Sequence, residues 1–223
     1  MKIMFATPTY KGITDPDFLD SLEATVTLCQ AKGYETEFAL ITGCCYVQEA
    51  RNKLVKQFID SGADVLFFLD DDISWPAEAA IRLIEMPDDM VAGVYPLKQA
   101  VPEFPGVIHT DVSHYPVVRA DGCISAAGVP TGFLRIRRNV IERMINAYPD
   151  QKYTDYKDGA STETLHDLFP QGVRNGRWVG EDYAFCQLWK AIYGEIWIIP
   201  DIDFTHAGFR GNYHQFLLSQ PRS

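Results

Sequence analysis

The 223-residue chain contains no apolar run near the ~20 residues that a membrane-spanning helix needs. Its opening, Met1-Lys2-Ile3-Met4-Phe5-Ala6-Thr7-Pro8, is too short in apolar residues to read as a secretory signal. Cysteine is scarce: Cys29, Cys44, Cys45, Cys123 and Cys186 include no CxxC pair, and the odd count does not suit a disulfide framework. Cys44 and Cys45 are adjacent, and a bridge between neighbours is strained. Free thiols in a reducing, cytoplasmic setting are therefore expected, with the cysteines acting as small fillers. Surplus cations are also missing. Lys and Arg total 20 against 30 Asp and Glu, a net charge of -10, so a nucleic-acid backbone is a poor default partner. There is no GxxxxGK[ST] loop, no GxGxxG after a strand, no GxSxG elbow and no zinc-type Cys/His spacing. Internal repeats and low-complexity tracts are absent as well.

What is present is the balance of an ordinary globular domain, 47% hydrophobic and 22% charged, which excludes disorder and collagen-like architecture. Lys2 to Thr7 reads as a buried strand ended by Pro8. Phe18, Leu19, Leu22, Val26 and Cys29 recur at helical spacing before Gly33. Glu35 to Thr42 alternates like a strand, and Val47, Ala50, Leu54, Val55 and Phe58 mark a helix closed near Gly62. Asp64 to Leu69 is a continuous apolar run bounded by charge, the mark of a strand covered on both faces. Pro76 opens a helix to about Glu85, and Met90 to Tyr95 is the next strand. This β-α-β-α-β-α-β order predicts an α/β fold with a Rossmann-like half over roughly 1–95. Its central sheet should be mixed, mainly parallel and flanked by helices, with right-handed crossovers.

The second half is less regular. Prolines at 96, 102, 105, 116 and 130 break it up; Thr131 to Ile136 reads as a strand and Asn139 to Ala147 as a helix. Residues 149–179 are polar and glycine-dotted, and read as a long irregular segment of the kind that is usually functional or mobile. A helix from Gly180 to Ile192, a last strand Glu195 to Ile199, a glycine-rich turn region 201–211 and a polar tail complete the chain.

Four features carry chemistry. Asp70-Asp71-Asp72 stands at the carboxyl end of the most apolar strand, where open α/β sheets bind ligands. Two alternate carboxylates there suit a hard divalent ion; the alternative is a solvated turn before a helix. Arg51 falls on the inward stripe of its helix and needs an anion, either Asp70 or Asp72 or a ligand group. Glu181-Asp182 begins a helix, where carboxylates serve as caps, yet Asp182 faces inward and suits a general base. His206, after the last strand, is a metal-ligand candidate or an ordinary hydrogen-bonding residue.

These pieces occur in a distinctive order: Ala6-Thr7-Pro8-Thr9-Tyr10, then Ala50-Arg51-Asn52, then Leu66 to Ile73 with the aspartates. Gly93-Val94-Tyr95-Pro96-Leu97-Lys98, Pro130-Thr131-Gly132-Phe133-Leu134, Gly180-Glu181-Asp182-Tyr183 and Thr205-His206-Ala207-Gly208 follow. The chain resembles the GT-A-fold glycosyltransferases of the family 2 type, with DxD and ED motifs, over nearly its whole length. The resemblance implies one GT-A-like domain over 1–223, with a nucleotide- and metal-binding half (1–95) and an acceptor-binding and catalytic half (96–223). It implies that Asp70 and Asp72, with His206, hold Mn2+ or Mg2+ against a nucleotide-sugar diphosphate, while Asp71 touches the ribose. Thr7, Pro8 and Thr9 would form the nucleotide side, with Arg51 near the base or diphosphate and Lys98, Thr131 and Gly132 lining the cleft. Asp182, with Glu181 beside it, would be the base of an inverting transfer. The donor is a nucleotide-sugar, a UDP-sugar first among them. No aspartate in the family's usual base-reading pattern follows the first or second strand, which leaves uridine specificity, and so the base, open. The acceptor hydroxyl would belong to a glycan, a lipid-linked sugar, a protein or a modified nucleic-acid base, with residues 149–179 as the acceptor segment or lid. Two alternatives stand beside this reading. One is a DxD-type phosphohydrolase with Asp70 as nucleophile. The other is a non-catalytic nucleotide-sugar-binding module that does not need Asp182.

Overall fold

The computed structural model describes residues 1–13, 15–157 and 160–220. Its first half follows the sequence pattern closely. Lys2–Thr9 forms β1, Pro16–Ala31 α1, Glu35–Thr42 β2, Val47–Ser61 α2 and Val65–Leu69 β3. Asp15 caps α1 by accepting the Asp17 amide, with Pro16 in the first turn. Gly62, at φ 69°, closes α2 in the left-handed conformation. β1 runs through Pro8 to Thr9 rather than stopping at Pro8. Its pairing with β2 continues to Thr9–Thr42, although that with β3 ends at Ala6–Phe68. Ile73–Ser74 (β4), Ala77–Glu85 (α3) and Met90–Ala92 (β5) follow.

The remaining elements are Val107–Ile108 (β6), Ile124–Gly128 (β7), Phe133–Arg137 (β8) and Arg138–Ala147 (α4). A 3-10 turn, Pro149–Gln151, leads into Lys152–Lys157 (β9) and Ala160–His166 (β10), then Gly172–Arg174 (β11) and Arg177–Val179 (β12). Glu181–Ala191 (α5), Trp197–Ile198 (β13), Asp203–His206 (β14), Phe209–Asn212 (β15) and Tyr213–Ser219 (α6) end the described chain.

One eight-stranded sheet, in the order β2-β1-β3-β8-β5-β13-β7-β6, spans both halves. The expected α/β class holds, with β2, β1 and β3 parallel and β5 parallel to β13. The simple parallel succession does not extend to β5. Antiparallel β8 lies between β3 and β5 and pairs with both. β8 is buried up to its last residue, and Arg135 within it is fully buried. That guanidinium is satisfied by carbonyls around the end of α3, with Nε to Leu83 O at 2.7 Å and Nη2 to Met86 O at 3.1 Å. A charged group buried this way matches the partial negative charge of a helix C-terminus.

β3 is buried on both faces, as its uninterrupted apolar run requires. Leu66 and Phe68 join Met4, Ala6, Leu54 and Phe58 on the α2 side; Val65, Phe67 and Leu69 join Ile3, Phe5 and Phe18 on the α1 side.

Two further expectations are corrected. Residues 149–179 are not an irregular segment: where described they form hairpins β9–β10 and β11–β12. Positions 158 and 159 lie outside the described residues, as does the tail from 221. Residues 201–211 are likewise not merely a turn region. β14 and β15 form a hairpin around Ala207 and Gly208, both at positive φ, and β14 pairs with β4. All five cysteines are free. Among the described residues no helix is long and apolar enough to cross a membrane.

Candidate active site

The three aspartates leave the end of β3 in three directions. Asp70 is tied down by its backbone, its amide donating to Gly132 O at 2.9 Å. Its Oδ1 accepts Arg51 Nη2 at 3.0 Å, and its Oδ2 accepts the Tyr95 hydroxyl at 2.8 Å. Asp71 turns the other way and accepts the Thr9 hydroxyl at the end of β1. Its carboxyl is raised above the usual range by burial, with the neighbouring aspartate charges adding and the Thr9 bond opposing. Asp72 points to the mouth, between Lys98 and His206. Burial alone would raise the Asp72 carboxyl, but His206 and Lys98 outweigh it and hold it down at about 2.

Arg51 is the centre of the arrangement. It is 4% exposed, in the first turns of α2. Its Nη1 bonds Glu181 at the start of α5, while its Nη2 holds Asp70. The guanidinium therefore joins Asp70, just past β3, to Glu181 of α5, which lies 130 positions from Arg51 in the sequence. Burial opposes its charge, but Asp70 and Glu181 more than offset this and raise its pKa further. Of the two roles open to Arg51 in the sequence, the structure occupies it with protein carboxylates.

Asp182 sits beside this pair without a cation of its own. Its Oδ1 accepts the Tyr183 amide at 2.7 Å. Burial, and then the charge of Glu181, raises its carboxyl from 3.8 to about 6. Desolvation of this kind produces a group poised to take a proton near neutrality.

Gly132 and Thr131 are buried behind Asp70. A Cβ on Gly132 would overlap the Asp70 carboxylate and the Tyr95 hydroxyl, so glycine is what allows that contact to close. Tyr95, three residues past β5, was not legible as a site residue. Burial, and then the Asp70 charge, raises its hydroxyl well above 10, so it stays a donor. Among the described residues only four buried side-chain N or O atoms lack a partner, and three of them are Thr7 Oγ1, Arg51 Nε and Thr131 Oγ1. Native interiors rarely leave such atoms unpaired, and here they gather around one site.

His206 reaches Asp72 through the β4–β14 pairing, which sets it opposite Ile73, with the Ala207 amide on Asp72 O at 2.8 Å. Its Nδ1 lies 2.6 Å from Pro96 O. A carbonyl only accepts, so Nδ1 carries a proton. Nε2 is the nitrogen turned towards Asp72, 3.3 Å from Oδ1. That gap holds a proton shared with the carboxylate, or a cation that replaces it. The spacing suits neighbouring ligands of one small ion, whose bonds of ~2.1 Å put adjacent ligands roughly 3 Å apart. The Nδ1–carbonyl bond is also the usual way of orienting a ligating imidazole. Among the described residues no group of three His, Cys, Asp or Glu side chains stands ready to hold a metal. The Asp72–His206 pair would leave the remaining positions to water and substrate oxygens.

Beyond Thr9, a cleft of about 380 Å3 opens between the ends of β1 and β2 and the start of α2, lined by Pro8, Thr9, Tyr10, Cys44, Cys45 and Val47. A more apolar cavity of about 340 Å3, with Ile108, Tyr115, Val118 and Leu217 in its walls, lies beside β6, β7 and α6 and includes none of the carboxylates above.

The solved structure of A197 from STIV is similar to this chain, with a TM-score of 0.52 at 16% identity over 92% of this chain and 85% of that one. That likeness shows the fold alone. Two looser overlaps are a glycosyltransferase involved in the glycosylation of the major capsid of PBCV-1 and S. aureus TarS 1-349. The first has a TM-score of 0.35 at 10% identity over 66% of either chain. The second has a TM-score of 0.46 at 12% identity over 90% of this chain and 58% of that one. Overlaps this loose carry no argument about this chain. No family model matches the sequence, and no curated protein is significantly similar to it.

Proposed function

We propose that this protein is a glycosyltransferase that moves a sugar from a nucleotide-sugar donor to an acceptor hydroxyl with inversion. One observation carries the reading: Asp182, a half-buried carboxyl raised to about 6, adjoins Glu181, which Arg51 ties to Asp70 at the end of β3. A base set beside a cation-holding acidic edge is what sugar transfer from a diphosphate requires.

In this mechanism Asp182 takes the proton of the acceptor hydroxyl as its oxygen attacks the anomeric carbon. The bond from that carbon to the diphosphate oxygen breaks in the same displacement, and the electron pair leaves with the nucleotide. Asp72 and His206 would hold a divalent cation, manganese or magnesium, whose chemistry is to offset the charge that gathers on the departing diphosphate. Lys98, at the mouth beside Asp72, adds a cation on the same side. Asp70 is the positioning member of the triplet, since both its oxygens already accept from Arg51 and Tyr95. The same engagement leaves it poorly placed as the nucleophile of a phosphohydrolase. The cleft beside Pro8, Thr9 and Tyr10 suits the nucleoside, with Asp71 and Thr9 at its inner end.

The test is a thermal-shift panel of nucleotide sugars with manganese, magnesium or chelator, run on wild type and Asp182→Asn. A donor at a hundred times its Kd stabilises by about 2.7 kcal/mol, worth roughly 5–10 °C in a chain this size. The expected result is a metal-dependent shift with one donor that survives Asp182→Asn, together with loss of transfer in that variant. No shift with any donor overturns the reading, and transfer at the wild-type rate in Asp182→Asn removes its base. Donor binding with no transfer by wild type to any acceptor leaves only a binding module.

A further inference from the structure

Directly before the Glu181–Asp182 helix, β11 and β12 form a short hairpin closed by Asn175 and Gly176, at φ 51° and 75°. Two positive-φ residues in succession make the tight turn whose twist matches paired strands. Its register sets Val173 opposite Trp178 and Arg174 opposite Arg177. Both arrangements are unfavourable in isolation. Val173 is 72% and Trp178 69% exposed, which leaves a large aromatic face in water. Like charges directly opposite across a hairpin repel. Among the described residues neither arginine has a carboxylate partner, in a protein with 30 acidic residues. Arg174 and Arg177 flank the turn, so their charge is concentrated at the tip, on the face opposite the tryptophan.

We propose that this hairpin is the acceptor-docking element and that the acceptor is an acidic carbohydrate chain. The inference rests on the transferase reading above. Trp178, backed by Val173, offers a flat apolar platform to a sugar ring, and Arg174 and Arg177 meet the anionic substituents as the chain crosses the tip. Trp178 is four residues before Asp182, which bounds their Cα separation at about 14 Å, a distance a short oligosaccharide spans. The protein as a whole, at a net charge of -10, repels an acidic chain, so the hairpin is where such a chain is steered.

The experiment titrates the whole protein with three probes: sulfated dextran oligosaccharide, neutral dextran oligosaccharide and polyphosphate. Tryptophan fluorescence reads binding, because Trp75 and Trp189 are buried and Trp197 is half-buried, which leaves Trp178 as the exposed reporter. Sulfated oligosaccharide is expected to quench and shift the emission and to bind at least tenfold tighter than either other probe. Trp178→Ala is expected to weaken that binding at least tenfold, measured by calorimetry, with an unchanged melting temperature. Arg174→Glu/Arg177→Glu is expected to abolish its salt dependence. Both variants should keep the wild-type donor shift, and that arm separates failure of the hairpin proposal from failure of the transferase reading. Equal binding of polyphosphate and sulfated oligosaccharide, no binding of either carbohydrate, or wild-type affinity in Trp178→Ala overturns the proposal. So does a dimer that Trp178→Ala splits into monomers, which would make the hairpin a contact between copies.

Discussion

Replacing Arg51 with methionine keeps an unbranched apolar stem in its place and removes the charge that Asp70 and Glu181 share. Arg51 is 5% exposed at its side chain, and its two partners are 25% and 18% exposed, so water screens the loss only in part. Removing one member of a buried ion pair costs about 3–5 kcal/mol, because the charges left behind are uncompensated. A domain has only about 5–15 kcal/mol in total. At about 2–4 °C per kcal/mol for a chain of this size, the melting temperature should fall by roughly 6–20 °C. Arg51→Lys should fall between, since one ammonium cannot bond two carboxylates on opposite sides as the guanidinium fork does. The variant also loses the charge that opposes protonation of Asp182, so that group should titrate above its present value of about 6. The assay is urea denaturation of wild type, Arg51→Met and Arg51→Lys at pH 7.5 and pH 5. The deficit of Arg51→Met should shrink at pH 5, where Asp182, raised further in the variant, holds its proton in the folded state. A loss under 1 kcal/mol at pH 7.5, or the same loss at both values, would refute the clamp.

Asp182 links stability and activity with opposite signs. Its folded pKa of about 6 exceeds its ordinary 3.8, so the folded state holds a proton that the unfolded state releases between those values. The resulting stabilisation is complete below pH 4 and is lost as the pH rises through about 6. Transfer requires the carboxylate and rises across the same window, which a pH–rate profile set beside a pH–stability profile checks. Asp182→Asn should flatten both curves and be the more stable protein at pH 8 by on the order of 1–2 kcal/mol once solvent screening is allowed for. Gly132→Ala puts a methyl group into the space of the Asp70 carboxylate and the Tyr95 hydroxyl. The expected cost is about 1–3 kcal/mol of overpacking and weaker donor binding, whereas Tyr95→Phe, which only deletes the hydrogen bond, should cost about 1 kcal/mol. A wild-type melting temperature in Gly132→Ala would show that this contact does not constrain the site.

Much of the first half was legible because its signals are local. The run from Val65 to Leu69 is apolar at every position, and such a strand must be covered on both faces. Gly62 marks the end of α2 by its own left-handed backbone. The hairpin around Asn175 and Gly176 also had a readable signal, the Asn-Gly dipeptide, inside a segment whose polar composition suggested irregular chain. The insertion of β8 between β3 and β5 had none, because Phe133–Arg137 would present the same alternation at any place in the sheet.

The candidate site divides along the same line. The sequence by itself determined which groups are available: three carboxylates at the end of an apolar strand, an inward arginine, a carboxylate pair at a helix start and a late histidine. Residue type and local periodicity suffice for that. Only the tertiary structure decided who meets whom. Arg51 binds Asp70 and Glu181, Tyr95 reaches Asp70 past Gly132, and His206 is carried to Asp72 by strands only two to four residues long. The physical reason is that a buried charge takes whichever opposite charge the fold sets beside it. Across 130 positions that neighbour is chosen by strand order and packing, not by any pattern a short stretch of chain can hold.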